Sequence, residues 1–325
     1  MMRLARRLLH KPKLSVVVVV YDMGREAPRT LRSLSTSYQT GIDEYDYEVI
    51  VVDNGSPMPL DESLVRSFGR QFRYYYIENA SSSPAAAVNF GVQQSRGKFI
   101  SIMVDGARIV TPGLLKFTLL AFEIYDHPTV TALGWHLGPD RQQKSMLEGY
   151  SKQIEDDLLK KIGWPQLGYQ LYTIAALGGS SKDGCFSEIS ESNTIGVSKR
   201  TFEELNGYDT KFELPGGGLV NLDFYKRAAE RPDTNLVCLI GEGSFHQIHG
   251  GASTGITSDQ LRAKSAQWIA NYKEIRGVAF SAPRKPSEYL GMISNEVISH
   301  IGWSANHRLE LVAEAKRLKS LQAVD

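Results

Sequence analysis

The sequence predicts an open, mostly parallel α/β sheet, and three observations predict it. Apolar, β-branched runs recur through the first 135 residues, each run gives way to a segment of helical spacing, and the connections are short. A strand covered on both faces reads as an unbroken apolar run. Strand–helix alternation with short links implies right-handed crossovers and a parallel sheet.

The elements follow in order. Residues 14–21, LSVVVVVY, form the first buried strand. Ala27, Leu31, Leu34 and Tyr38 then fall at helical spacing. YEVIVVDNGS (47–56) is a second strand that ends in an abrupt polar turn, and FRYYYIEN (72–79) is a third. Ser83 and Pro84 read as the N-cap and first-turn proline of a helix ending before Gly97. KFISIMV (98–104) is the fourth strand, and Thr111 and Pro112 open a helix with Leu115, Leu119 and Phe122 on one face. TVTALGW (129–135) is the fifth strand.

Sheets of this kind bind ligands beyond the carboxyl ends of their strands. That rule lines up Tyr21 with Asp22, Asp53 with Ser56, Glu78 with Ser81, and Asp105 with Ala107 along one rim.

Regularity fades after His136. Residues 149–164 read as a helix and LGGSSKDGCFSE (177–188) as a mobile loop. NTIGV (193–197) leads to a short helix capped by Ser198 and stopped at Asn206 and Gly207. Gly216 to Gly218 form a turn that feeds a helix, and a strand pair follows, NLVCLIG and GSFHQIHGG. The tail from Ser304 to Ala323 is an amphipathic helix whose stripe, Leu311, Ala315, Leu318 and Leu321, is expected to pack on its own domain.

Bulk numbers set the bounds. The chain has 325 residues, and 37 Lys+Arg against 36 Asp+Glu leave a formal charge of +1. Such a balance offers no field to recruit nucleic acid. Two distant cysteines, Cys185 and Cys238, match no metal spacing and suit a reducing, cytoplasmic setting as buried thiols. No run approaches the roughly 18 apolar residues of a membrane span, while the basic opening MMRLARRLLHKPK leaves peripheral membrane contact open.

Five pieces in order, SVVVVVYDMGREAPRTLRSL, YEVIVVDNGS, AAAVNFGVQQSRGKFISIMVDGA, FEELNGYDTKFELPGGGLVNLDFYKR and FHQIHGG, span Ser15 to Gly251. Through them the chain resembles the family 2 glycosyltransferases, which have the GT-A fold. The resemblance implies an inverting, metal-assisted transfer of a sugar from a nucleotide-diphosphate donor to a glycan, lipid-linked or protein acceptor, as in polysaccharide assembly. Within its span it implies a nucleotide-sugar-binding half (14–135) and an acceptor-binding half (136–251), which the residue pattern flanks with a basic arm (1–13) and a C-terminal helical extension (252–325).

Site residues follow from the same match. Asp53 falls at the family's base- or ribose-binding aspartate, although DNGS also makes a tight turn. Tyr21 would cover the base beside Asp22, where the family often has Asn. Asn89 would face the rim, and Arg96 would reach a phosphate or cap its helix. Asp105 and Gly106 occupy the start of the D-x-D signature, whose last place holds Ala107. Asp105 is then left either to bind Mn²⁺ or Mg²⁺ as the sole protein carboxylate or to bind ribose, with Arg108 taking the diphosphate. His246 falls at the family's late metal-binding histidine. In an extended segment the three-residue spacing turns His249 to the other face.

An inverting transfer needs a base to accept the acceptor hydroxyl's proton. Asn221 stands at the family's base position, so Asp223, Glu191 and Glu213 are the substitutes, while Asp223 would also stabilise its helix's first turn. Trp135 and His136 would lie near the donor sugar or acceptor. The substitutions Ala107 and Asn221 define the alternative, a catalytically silent GT-A-like nucleotide-sugar-binding or scaffold protein. A sugar nucleotidyltransferase would want more glycines after the first strand than YDMGREAPR supplies.

Overall fold

The computed structural model describes residues 11–250 and 258–322; most of the basic arm, and Gly251, lie outside them. The strands are β1 (Leu14–Val20), β2 (Tyr47–Asp53), β3 (Phe72–Tyr76), β4 (Phe99–Met103), β5 (Arg108–Val110), β6 (Pro128–Leu137), β7 (Ala175–Leu177), β8 (Ile195–Ser198), β9 (Asn235–His246) and β10 (Glu288–Gly291). The helices are α1 (Ala27–Ser33), α2 (Glu62–Ser67), α3 (Ala85–Gln94), α4 (Leu114–Ile124), α5 (Gln142–Ser145), α6 (Lys152–Lys161), α7 (Lys199–Glu204), α8 (Val220–Ala229), α9 (Ser258–Arg276) and α10 (Ile298–Gln322).

One sheet runs in the order β10-β9-β6-β8-β4-β1-β2-β3, with β5 on β9 and β7 on β6. Along that path only β8 is antiparallel to its neighbours. The predicted open, mostly parallel α/β sheet is therefore the observed one. Val16, Val17 and Val18 of β1 have no exposed surface. Burying each such side chain contributes about 1.5–3 kcal/mol before entropy is counted.

The order reverses at β1, which has β2 on one side and β4 on the other. Its carboxyl end is thus a topological switch point, where such sheets leave a crevice. Because β8 runs antiparallel, with Ile195 opposite Ile102, the start of β8 lies at the same rim as the end of β4.

Four expectations change. The strand pair after α8 is one continuous strand, β9, because Gly241 takes up a positive φ (83°) without turning the chain back. Helix α1 ends at Ser33, although Leu34 and Tyr38 are still buried beyond it. The 177–188 segment holds a 3₁₀ turn, Gly179–Ser181, and the Gly178 N–H donates to the Gly134 carbonyl (2.8 Å). Helix α10 begins at Ile298, but Ala315 and Leu318 of its stripe face solvent rather than the domain. The two cysteines are free and buried. Among the described residues no helix is long and apolar enough to cross a membrane.

Candidate active site

Strand β4 delivers Asp105 to the rim, where one carboxylate oxygen accepts the Ala107 N–H (3.0 Å). Between them Gly106 passes so close to β1 that a Cβ would meet Val20 Cγ1 at 2.5 Å and the Val19 carbonyl at 2.7 Å. Packing against β1 thus accounts for the glycine. Strand β5 then pairs with β9, setting Arg108 opposite His246. That pairing carries His246 Nε2 to 3.0 Å and His249 Nε2 to 3.7 Å from the Asp105 carboxylate.

The two imidazoles therefore share one face, against the expectation from strand geometry. The reason is that β9 ends at His246. Beyond it the Gln247 N–H donates to the Ala107 carbonyl (2.8 Å), and the Ile248 N–H donates to Glu155 Oε2 (2.8 Å). The chain curls, and the Nε2 atoms of His246 and His249 stand 3.0 Å apart. One ligand atom from each of Asp105, His246 and His249 lies within 4.8 Å of the others.

Gln142 decides which nitrogen of His246 faces the cluster. Its Nε2 donates to the His246 carbonyl (2.9 Å), which leaves Oε1 to accept from His246 Nδ1. The proton assigned by this network sits on Nδ1, so Nε2 presents a bare lone pair to a carboxylate and a second imidazole. Two acceptors facing each other repel unless a proton or cation lies between them. Burial pushes the His246 ring down to about 4, only partly opposed by Asp105, so that ring is neutral at pH 7. The contact is met either by a His249 Nε2–H donating to His246 Nε2 or by a cation between them. Two imidazole nitrogens and a carboxylate, with the outer nitrogen of one ring donating to a fixed amide, suit a divalent cation. Burial pushes the Asp105 carboxyl up, but His246, His249 and Arg108 together hold it well below the usual carboxylate range. His136 lies 5.2 Å from His246, ring to ring, and burial first, then its neighbours His246 and Arg108, push it well down.

The histidine turn is held from α6. Glu155, fully buried, accepts the Ile248 N–H, pairs with Arg25 (3.2 Å) and lies 3.8 Å from Arg29. Arg25 also donates to the Ile248 carbonyl (3.3 Å) and pairs with Glu26 (3.0 Å). Neither Gln142 nor Glu155 carries a local signal in the sequence; both act across long separations.

Other predicted residues divide. Tyr21 is 54% exposed at the rim, and the Asp22 N–H donates to Ser56 Oγ (2.9 Å). Asp53, however, has no exposed surface and accepts from the Ser56 and Leu60 N–H groups and from the Tyr74 hydroxyl. Its carboxylate is spent on the turn. Asn89 clamps the Tyr208 backbone with both ends of its amide (2.8 and 2.9 Å) instead of facing the rim. Arg96 pairs with Glu48 (2.8 Å) at the start of β2, the end of the sheet away from the rim. Trp135 is a core residue, packed on Tyr172 and Phe245.

Asp223 is buried between Arg227 (2.8 Å) and Arg276 (2.6 Å), so its lone pairs are committed to two guanidinium groups. Asn221 accepts from the Tyr208 hydroxyl (2.7 Å) and donates to the Ser192 carbonyl (3.3 Å). Glu191, next to Ser192, is partly exposed and bonded to the Asn193 amide. Burial first, then the Glu191 charge, raises the Tyr208 hydroxyl. Glu213 is exposed on the turn before Gly216, which is tied to α3's lead-in through the Ser82 carbonyl (3.0 Å).

Residues 15–154 match the family model for glycosyl transferase family 2. An uncharacterized glycosyltransferase of Rickettsia bellii is 27% identical over 100 residues, covering 31% of this chain and 14% of that protein. The chain thus spans about a seventh of that relative's length. Among solved structures, S. aureus TarS 1–349 in complex with UDP-GlcNAc is 14% identical with a TM-score of 0.49, covering 80% of this chain and 66% of that one. The mannosyltransferase PcManGT from Pyrobaculum calidifontis, in complex with GDP-Man and Mn2+, is 16% identical with a TM-score of 0.47, covering 97% and 80%.

Proposed function

We propose that the chain, whose residues 15–154 match the model for glycosyl transferase family 2, transfers a sugar from a nucleotide-diphosphate donor to a glycan or glycoconjugate hydroxyl, with inversion. The observation that carries this reading is the convergence of Asp105, His246 and His249 at the switch point of the sheet. In it, the nucleotide lies across the tips of β1 and β2, with the exposed Tyr21 ring against the base. Asp105, His246 and His249 would hold Mn²⁺ or Mg²⁺, which supplies positive charge for the departing diphosphate. Arg108, whose Nε lies 3.4 Å from Asp105, adds a fixed cation beside them.

Glu191 is the base. It precedes β8 at the rim and is not committed to an ion pair among the described residues, whereas Asp223 is. The acceptor O–H proton passes to the Glu191 carboxylate as the oxygen bonds to the anomeric carbon. The bond from that carbon to the diphosphate breaks, and the nucleotide diphosphate leaves with the electron pair. Positioned proton transfer of this kind contributes about 10²–10⁴ in rate.

Incubation with UDP-, GDP- and dTDP-sugars, with and without Mn²⁺, tests the proposal by donor hydrolysis or transfer. No turnover and no nucleotide-sugar binding across the panel would refute it. A second reading, a donor-binding protein without transfer, is favoured by the buried amide of Asn221 in the base position. Tight donor binding with no transfer in any acceptor mixture would select it.

A further inference from the structure

A groove of about 450 Å³ opens between β7, the turn before α5 and the first turns of α10. Trp303 forms one wall and is 44% exposed. Its indole stacks on His307 (5.0 Å, 14° between planes), and His307 Nε2 meets Asp183 at 3.1 Å. The indole is thus held by a neighbour that is itself tied to Asp183. Such a face, apolar and of fixed orientation, suits the C–H surface of a sugar ring.

Arg141 supplies a cation to the same lining. Asp140 and Lys182 also line the groove, but Asp140 pairs with Lys144 (2.7 Å) and Lys182 with Asp183 (2.5 Å). Arg141 is exposed, and no ion pair to its guanidinium is found among the described residues. A planar guanidinium is built for bidentate recognition of carboxylate or phosphate. The groove also adjoins the histidine cluster. The residue after Arg141, Gln142, donates its N–H to His136 Nδ1 (3.1 Å) and holds His246 through its side chain.

We propose that this groove is the acceptor subsite and that the acceptor is an anionic carbohydrate, its ring on Trp303 and its carboxylate or phosphate on Arg141. The proposal rests on the glycosyl-transfer reading above and adds the acceptor's chemical class to it.

The test titrates the full chain with three probes: oligogalacturonate, oligo(glycerol phosphate) and a neutral cello-oligosaccharide. Binding is read by calorimetry and by the Trp303 indole N–H resonance, with UDP and GDP binding measured on the same proteins. At least one anionic probe is expected to bind and shift Trp303, and which one does so identifies the anion. Trp303→Ala and Arg141→Gln should each weaken that probe about tenfold, a difference well within calorimetric reach. Raised salt should weaken it further. Equal binding of the neutral probe, or binding unchanged in both variants, would overturn the proposal. Nucleotide binding without any Trp303 shift would sink the groove and leave the transferase reading standing. An anionic probe bound by a chain that binds no nucleotide would overturn the acceptor assignment together with that reading.

Discussion

His246 and His249 aim their Nε2 atoms at each other across 3.0 Å, with the Asp105 carboxylate against both. Loss of the His249 Nε2 proton would free two imidazole nitrogens and a carboxylate for one cation. Gln142→Ala removes only the amide that fixes the His246 ring, and is expected to weaken Mn²⁺ binding by about 10–100-fold. His246→Ala and His249→Ala should each cost at least as much. Titration of Mn²⁺ followed by electron paramagnetic resonance measures all three. Wild-type affinity in both histidine variants would remove the metal from the site.

Glu191 and Asn221 make opposite predictions. Glu191→Gln keeps the hydrogen bond from Asn193 but cannot accept a proton, so transfer should fall by about 10²–10⁴ with donor binding retained. Asn221→Asp restores a carboxylate at the family's base position, where the Tyr208 hydroxyl already donates. In the Glu191→Gln background it should recover part of the lost rate. Full activity in Glu191→Gln, measured by nucleotide release in single-turnover assays, would move the base elsewhere.

The sheet was legible in the sequence because β1, β2 and β4 are buried on both faces and must read as apolar runs. Asp105 and His246 were singled out through the resemblance, since both follow or end strands whose position the pattern fixes. His249 was not, because its place depends on where β9 stops, and that is set by bonds from Gln247 and Ile248 to distant partners. Asp53, Asn89, Arg96 and Asp223 meet other partners for a common reason. Each is a polar group whose partners are provided by the fold, at Leu60 and Tyr74, Tyr208, Glu48 and Arg276 respectively. A sequence motif shows the residue type and not whether its hydrogen bonds are already spent.

Glu155 joins α6 to the histidine turn through the Ile248 N–H and to α1's lead-in through Arg25. Glu155→Ala strips a buried carboxylate from two arginines and leaves the Ile248 N–H without its acceptor. A loss of about 3 kcal/mol or more is expected, together with weaker Mn²⁺ binding. Glu155→Gln keeps an acceptor for Ile248 and should retain more of the metal affinity than of the stability. Urea denaturation and the Mn²⁺ titration separate the two effects. If Glu155→Ala unfolds at the wild-type midpoint, the network is a surface feature without weight.

Glu242 offers a pH test away from the site. It is buried within β9, accepting from the Tyr169 hydroxyl (2.8 Å) and the Thr111 hydroxyl. Burial pushes its carboxyl from the usual 4.5 up to about 7, against the downward pull of those two hydroxyls. As pH rises from about 4.5 to about 7, the unfolded chain gives up this proton while the folded chain keeps it. The unfolded state then binds fewer protons, so this group's contribution falls through that window and is flat above it. Glu242→Gln removes the titration and leaves an oxygen for Tyr169. The variant should match or slightly trail the wild type at pH 5, then exceed it at pH 8 by up to roughly 3 kcal/mol. Denaturation curves at both pH values decide the matter, because Glu155 and every other titrating group are common to the two proteins and cancel in the comparison. Parallel pH profiles would mean that Glu242 ionises in the folded chain as readily as in water.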